Sequence, residues 1–250
     1  MITLFNYSLT LEHTLLLTLC GILIGLAKTG LHGVGMLVVP LMALIFGAKA
    51  SVGIVLGMLI IADLFAVTYY HRHANWKYLI KLFPSAGIGV ILATVFGNLI
   101  DDALFAQIMA LIIFLSLAIM IALERIDRSV IPDYLWFAIL MGALGGFTTM
   151  VGNLAGPVMA VYLLSMRLPK NEYIGTAAWF FLIINVFKVP FHIFSWETIS
   201  VNSILLNLSL LPVIAIGALI GIIVVKRIPE TSYRWLVIVM TGLAASLMLV

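Results

Sequence analysis

Two lysines and one aspartate lie inside long hydrophobic runs: Lys28, Lys188 and Asp63. A lysine at a bilayer centre costs about 2.5–3.5 kcal/mol on insertion scales. Each therefore needs an acid, a carbonyl or a bound anion beside it. Lys188 has a further option, because it is only about a turn from the end of its run and can snorkel outward. Asp63 is the only acid well inside a run. Two roles are open to it: a structural pair with Lys28 or Lys188, or an acid that binds and releases a proton or couples to another ion. Asn185, its counterpart in the second half, keeps hydrogen-bonding ability without charge.

The stretch around Lys28 reads Gly25-Leu26-Ala27-Lys28-Thr29-Gly30-Leu31-His32-Gly33-Val34-Gly35. Its glycines let the backbone leave a helix and approach a ligand closely. A new segment then begins near Val34 or Gly35. Its first N–H groups have no intrahelical partner and carry the positive end of the helix dipole. In hydrocarbon those groups need partners, and an anion supplies them. The second half offers Gly145-Gly146-Phe147-Thr148-Thr149-Met150-Val151-Gly152-Asn153, with Thr148, Thr149 and Asn153 as neutral hydrogen-bonding groups. Thr29 and His32 add a hydroxyl and an imidazole to the first motif, and His32 either donates to an anion, titrates or simply lines the loop. The chemistry expected is anion binding between two helix starts near the membrane midplane. Close helix packing alone explains one such glycine motif. Two placed symmetrically, each followed by a short segment, point to a site.

The motifs belong to a longer echo. Val34-Gly35-Met36-Leu37-Val38-Val39-Pro40-Leu41-Met42-Ala43 resembles Val151-Gly152-Asn153-Leu154-Ala155-Gly156-Pro157-Val158-Met159-Ala160 at one constant offset. Gly35 matches Gly152, and the helix-breaking Pro40 matches Pro157. Further matches follow in order: Gly53 with Gly175, Asp63 with Asn185, His71 with His192, Pro84 with Pro212, Gly89 with Gly217 and Phe105 with Tyr233. Paired glycine- and proline-interrupted apolar segments mark the binding site of many transporters.

The elements that must position these residues are hydrophobic helices. Of the 250 residues 64% are hydrophobic and 9% charged, against about 25% charged in a soluble domain. Lipid is the solvent such a chain requires. Ten segments are expected, at 12–31, 34–47, 51–70, 78–99, 103–123, 133–149, 153–166, 173–193, 203–225 and 232–249. The second and seventh are too short for the ~20 residues of a full span, and each is a tilted half-span or one arm of a re-entrant hairpin. The fold class expected is an all-α polytopic membrane protein. It comprises two inverted repeats of about five segments, 1–128 and 129–250.

Ten of the thirteen Lys and Arg residues cluster in four places: Arg72, Lys77 and Lys81; Arg125 and Arg128; Arg167 and Lys170; Lys226, Arg227 and Arg234. All four fall on one side when spans are counted, which makes that side cytoplasmic. Both termini then lie on the non-cytoplasmic side of an inner (plasma) membrane, with Asp101, Asp102 and Glu197.

No Gly-x-Ser-x-Gly, His-Glu-x-x-His or P-loop occurs, so nothing points to an enzyme. His71, Arg72 and His73 have no carboxylate or cysteine to complete a metal site. No metal or cofactor is expected. The partners expected are a small anion and the bilayer, with no nucleic acid; self-association is left open.

These residues resemble the TauE/SafE family of membrane anion exporters, also described as sulfite exporters. The resemblance lies in Gly25 to Gly30, Gly33-Val34-Gly35 leading to Val39-Pro40-Leu41, the echo Gly152 to Pro157, Gly175-Thr176-Ala177, and Phe181 through Lys188. Met36, Leu154 and Ala155 stand where many members have glycines. The resemblance implies transport, usually outward, of sulfite, sulfonates such as sulfoacetate, or related anions. It implies Lys28, Gly33, Gly35, Pro40, Gly152, Asn153, Gly156 and Pro157 as site or site-shaping positions. A passive anion channel and an uptake permease are the alternative readings.

Overall fold

The computed structural model describes residues 2–29, 34–122, 134–166, 168–224 and 246. The chain opens with a two-stranded antiparallel hairpin, β1 (Ile2–Leu4) and β2 (Tyr7–Leu9), turning at Phe5 and Asn6. Helices follow: α1 (Leu11–Thr29), α2 (Gly35–Phe46), α3 (Ala48–Tyr70), α4 (Trp76–Asn98) and α5 (Asp102–Ala122). The later helices are α6 (Leu135–Gly152), α7 (Gly156–Ser165), α8 (Lys170–Phe194), α9 (Val201–Ser209) and α10 (Leu211–Val224).

Six of these are long and apolar enough to cross a bilayer: α1, α3, α4, α5, α6 and α8. The pair α9 and α10, bent by 48°, is apolar and long enough together for a broken span or a re-entrant loop. Apart from the hairpin, the described chain is all-α, and it is a polytopic membrane protein. Large apolar side chains such as Ile80, Ile88, Leu92, Leu111, Leu115 and Ile223 are exposed on its outer faces. Lipid covers such faces at no cost.

The second and seventh segments are short. At 1.5 Å per residue, the 12 residues of α2 rise about 18 Å and the 10 of α7 about 15 Å, roughly half of a hydrocarbon core. The segment expected at 203–225 is not one helix. It divides at Leu210, where Pro212 in the first turn of α10 offers no N–H to the preceding turn. The tenth segment lies outside the described residues, as do Arg125, Arg128, Arg167, Lys226, Arg227 and Arg234.

Glycines set the closest helix contacts. A Cβ on Gly25 of α1 would strike the backbone of Ile214 and Ala218 on α10, and one on Gly217 would strike Ile22. A Cβ on Gly146 of α6 would strike the backbone of Ala86 on α4, and one on Gly89 would strike Ala143. Gly25 stands to Gly146 at the same spacing as Ile22 to Ala143, and Ala86 to Ile214 at the same spacing as Gly89 to Gly217. The same backbone-to-backbone seam therefore occurs twice, each time between a helix of one half and a helix of the other. Small residues permit this approach in lipid, where packing rather than hydrophobicity holds helices together.

Gly145 and Gly146 are neighbours with opposite surroundings. A Cβ at Gly145 meets only ordinary contacts, the nearest at 3.9 Å, whereas Gly146 has α4 backbone against it. Gly146→Ala should cost about 1–3 kcal/mol, the usual range for overpacking. Gly145→Ala should be neutral or slightly stabilising, as alanine is the better helix former. Melting curves of the two purified variants in detergent check the contrast.

Candidate functional site

The polar groups meet where α1 and α6 end. Lys28 lies in the last turn of α1, where the carbonyl end of the helix favours a cation. Its Nζ is 2.8 Å from Asp63 Oδ1 on α3 and 4.0 Å from the centroid of the Phe181 ring on α8. Asp63 is completely buried. Its other oxygen, Oδ2, accepts from Asn185 Nδ2 at 2.6 Å. Charge pairing, a cation–π contact and an amide hydrogen bond thus join α1, α3 and α8 at one place.

A second cluster lies one turn further along α8. Asn185, Lys188 and His192 recur at three- and four-residue spacing, which puts them on one face of the helix. Lys188 does not snorkel; its side chain is completely buried. Its Nζ donates to Thr149 O at 2.9 Å, Thr149 Oγ1 at 3.0 Å and Asn153 Oδ1 at 2.7 Å. Three acceptors match the three donors of an ammonium group. Two of them are on Thr149, in the last turn of α6, so both buried lysines sit at helix ends that favour positive charge.

Asn153 holds the break itself. It takes the left-handed conformation, φ 58° and ψ 31°, which asparagine tolerates better than most residues. Its N–H closes on Thr149 O, and the N–H of Leu154 closes on Thr148 O. This left-handed cap satisfies the last carbonyls of α6. The Asn153 side chain points both ways, accepting from Lys188 and donating from Nδ2 to Val52 O on α3 at 3.1 Å.

His192 was not singled out by sequence reasoning, although its place on the same face as Asn185 and Lys188 is a usable signal. It is fully buried. Nδ1 lies 2.7 Å from Thr198 Oγ1, and Nε2 has no hydrogen-bond partner among the described residues. The N–H groups of Thr198 and Ile199 both close on His192 O, and Glu197 between them and α8 is left-handed at φ 53°. The chain after α8 therefore folds back over His192. Thr198 lies against Gly53 and Trp196 against Gly97, at places a Cβ would fill. Trp196 Nε1 also donates to Thr94 O at 3.1 Å.

On their other side, Trp196 and Thr198 line an open cavity of about 390 Å³ with Tyr7, Lys49, Asp102, Glu197 and Ser200. Lys49 Nζ donates to Gly97 O at 2.7 Å and lies 5.2 Å from the Trp196 ring. The hairpin, the start of α5 and the end of α8 therefore share one end of the bundle. Of the cavity's lining residues, Thr198 and Trp196 also contact His192, one turn along α8 from Lys188.

The remaining expected site residues are placed differently. Thr29 Oγ1 donates to Gly25 O and Ala218 O, which commits it to the α1–α10 seam. Thr148 Oγ1 donates to Leu144 O within its own helix. Gly35 begins α2, whereas Gly152 ends α6 and Gly156 begins α7. The echo that paired Gly35 with Gly152 is thus one helical turn out of step with the helices. Neither proline ends a helix: Pro40 lies inside α2, and Pro157 sits in the first turn of α7, where proline is well tolerated. No described residue lies within 4 Å of a Cβ built on Gly156, so the start of α7 has open space beside it. His32 and Gly33 lie outside the described residues. Among the described residues no group of three His, Cys, Asp or Glu could hold a metal.

A family model described as Sulfite exporter TauE/SafE matches residues 17–248. No curated protein and no solved structure matches the chain.

Asp63 is fully buried and Lys28 is 13% exposed; removing the lysine leaves the buried carboxylate uncompensated, which costs up to about 3–5 kcal/mol, and removing the carboxylate costs less. Lys28→Met should lower the melting temperature sharply, and Asp63→Leu should lower it by less. The double variant should recover a large part of the loss. A double-mutant cycle on thermal stability in detergent measures the coupling.

Proposed function

The chain belongs to the sulfite exporter TauE/SafE family, and on that premise we propose that it is a secondary transporter carrying small sulfur-containing anions out across the inner membrane. Membership itself implies a membrane exporter of sulfite or a related anion. The finer reading is alternating access around a midplane site, bounded by the break between α1 and α2 and the break between α6 and α7. Sulfite and organosulfonates are the substrates we assign to it.

The observation that carries this reading is the burial of Lys188 with neutral oxygens alone. Asp63 already has Lys28 and Asn185 as partners. A buried ammonium held only by carbonyl, hydroxyl and amide oxygens attracts an anion strongly, because the surroundings screen its charge poorly. Half-spans are the natural hosts for such a site. Non-helical backbone at membrane depth is stable only where protein or a water-filled path surrounds it. The first N–H groups of α7, on Gly156 and Val158, have no partner within their own helix and are of the kind anions take.

The twice-repeated glycine seam supports two repeats related by an approximate two-fold axis. Asp63 and Asn185, which correspond between the halves, meet each other directly, as positions near such an axis do. In this reading the cavity beside Tyr7 and Glu197 faces the non-cytoplasmic side, as the positive-inside rule applied to the basic clusters favours. With Trp196 and Thr198 seated on Gly97 and Gly53, that side is closed in this reading. Export requires the turn after α8 to withdraw, with Lys28–Asp63 as a pivot or as the place where a proton or another ion couples.

Proteoliposomes loaded with labelled sulfite test the reading. Saturable efflux that responds to a pH gradient and gives no unitary currents in planar bilayers is the expected result. Unitary currents would instead establish a channel. Lys28→Ala should lower efflux at least tenfold; full efflux at unchanged affinity would remove that lysine from the mechanism.

A further inference from the structure

Among the described residues, the charged groups that meet between α1, α3, α6 and α8 are two lysines, the partly buried Lys28 and the fully buried Lys188, and one carboxylate, Asp63. The other described acids lie towards helix ends or between helices: Glu12, Asp101, Asp102, Glu172 and Glu197. Asp63 spends one oxygen on Lys28 and the other on Asn185, so its single charge is already committed. Lys188 has no described acid within hydrogen-bonding reach, and its three neutral oxygen partners accept from Nζ as they would from an ammonium. With all three groups ionised, the described core carries a surplus of one positive charge.

We propose that the substrate is a singly charged oxyanion, hydrogensulfite or a monosulfonate, and that dianions such as sulfate, sulfite and sulfoacetate are rejected at this site. The proposal rests on the anion-transport reading above and narrows it. One negative charge beside Lys188 brings the core to neutrality, which a low-dielectric surrounding strongly favours. A second negative charge would lie in the same surrounding with no cation to meet it, since Lys28 is held by Asp63. Discrimination then comes from the uncompensated charge rather than from a contact, a form of rejection built into the site. An oxyanion rather than a bare halide suits the donors at hand. The Thr149 hydroxyl beside Lys188 and the unpartnered Nε2 of His192, one turn further along the same face of α8, suit a ligand with more than one acceptor.

Thermal stability of the purified full chain in a neutral detergent tests this, because a ligand of the folded state raises the melting temperature by mass action. The probes are methanesulfonate, chloride, sulfate and sulfoacetate, each titrated as its choline salt and compared at equal ionic strength. Methanesulfonate should stabilise at concentrations at least tenfold lower than sulfate or sulfoacetate, and chloride should stabilise far less. Sulfate or sulfoacetate matching methanesulfonate would overturn the single-charge proposal and leave the transport reading intact. Chloride matching it would overturn the oxyanion part. No stabilisation by any of the four would count against the anion site itself.

Two variants test the charge count. Asn153→Asp puts a carboxylate on Lys188 in place of the amide oxygen, so it should abolish the methanesulfonate response. Asp63→Asn raises the surplus to two and should shift the ratio of sulfate to methanesulfonate affinity at least tenfold toward sulfate. If Asp63→Asn does not fold, Asn153→Asp decides. An unchanged methanesulfonate response in that variant overturns the proposal.

Discussion

The ion pair between Lys28 and Asp63 ties together three helices at the point where the first of them stops. It is costly in isolation, since both charges leave water, and it holds only because each group has further partners. Asn185 takes the second carboxylate oxygen, and the Phe181 ring covers the ammonium. The end of α1 adds the field of its carbonyls. With Asp63 occupied in this way, the next charge along α8 has no acid left to meet. The exposed need of Lys188 is a consequence of how completely the first pair is satisfied.

Packing around this core follows from the same demand for close approach. The α1–α10 and α4–α6 seams use glycines to bring backbones together, and both place a broken helix against a helix of the other half. That brings the ends of α1 and α6 to opposite sides of α3 and α8, where their polar groups can meet. The link from Asn153 to Val52 O crosses from the second break to α3, as Lys28 crosses from the first break to the same helix. α3 is accordingly the most enclosed of the long helices, with buried residues from Ala48 to Val67.

Much of this was legible in the chain. Hydropathy alone required the membrane helices, and the short second and seventh segments are α2 and α7. The glycines before Gly35 marked the first break within a residue. The second break was misplaced by a turn, because matching Pro40 to Pro157 aligns side-chain types, whereas helix phase is set by where the backbone leaves the helix. Asn153 does that through a left-handed cap, and asparagine carries no unique signal for it. Snorkelling stayed open for Lys188 beside a functional role because its distance to the helix end was counted along the chain. The turn that brings Trp196 and Thr198 back over that end is a tertiary event, made possible by Gly97 and Gly53 on two other helices. His192 was missed for the same reason. Its role follows from its neighbours, and the i, i+3, i+7 face of α8 is the one local hint.

The two glycine seams match in backbone contact, whereas the polar groups beside them differ in charge, and the difference is informative. On the spacing that relates Gly25 to Gly146, Lys28 corresponds to Thr149, and Asp63 corresponds closely to Asn185. A strictly duplicated core would have held two self-sufficient ion pairs or two neutral ones. Here one half keeps the complete pair and the other keeps only oxygens, into which Lys188 places a cation that neither half balances. A symmetric site would leave a charged ligand nothing to neutralise. The unequal polar groups leave Lys188 beside the break after α6 with only neutral oxygens as its described partners.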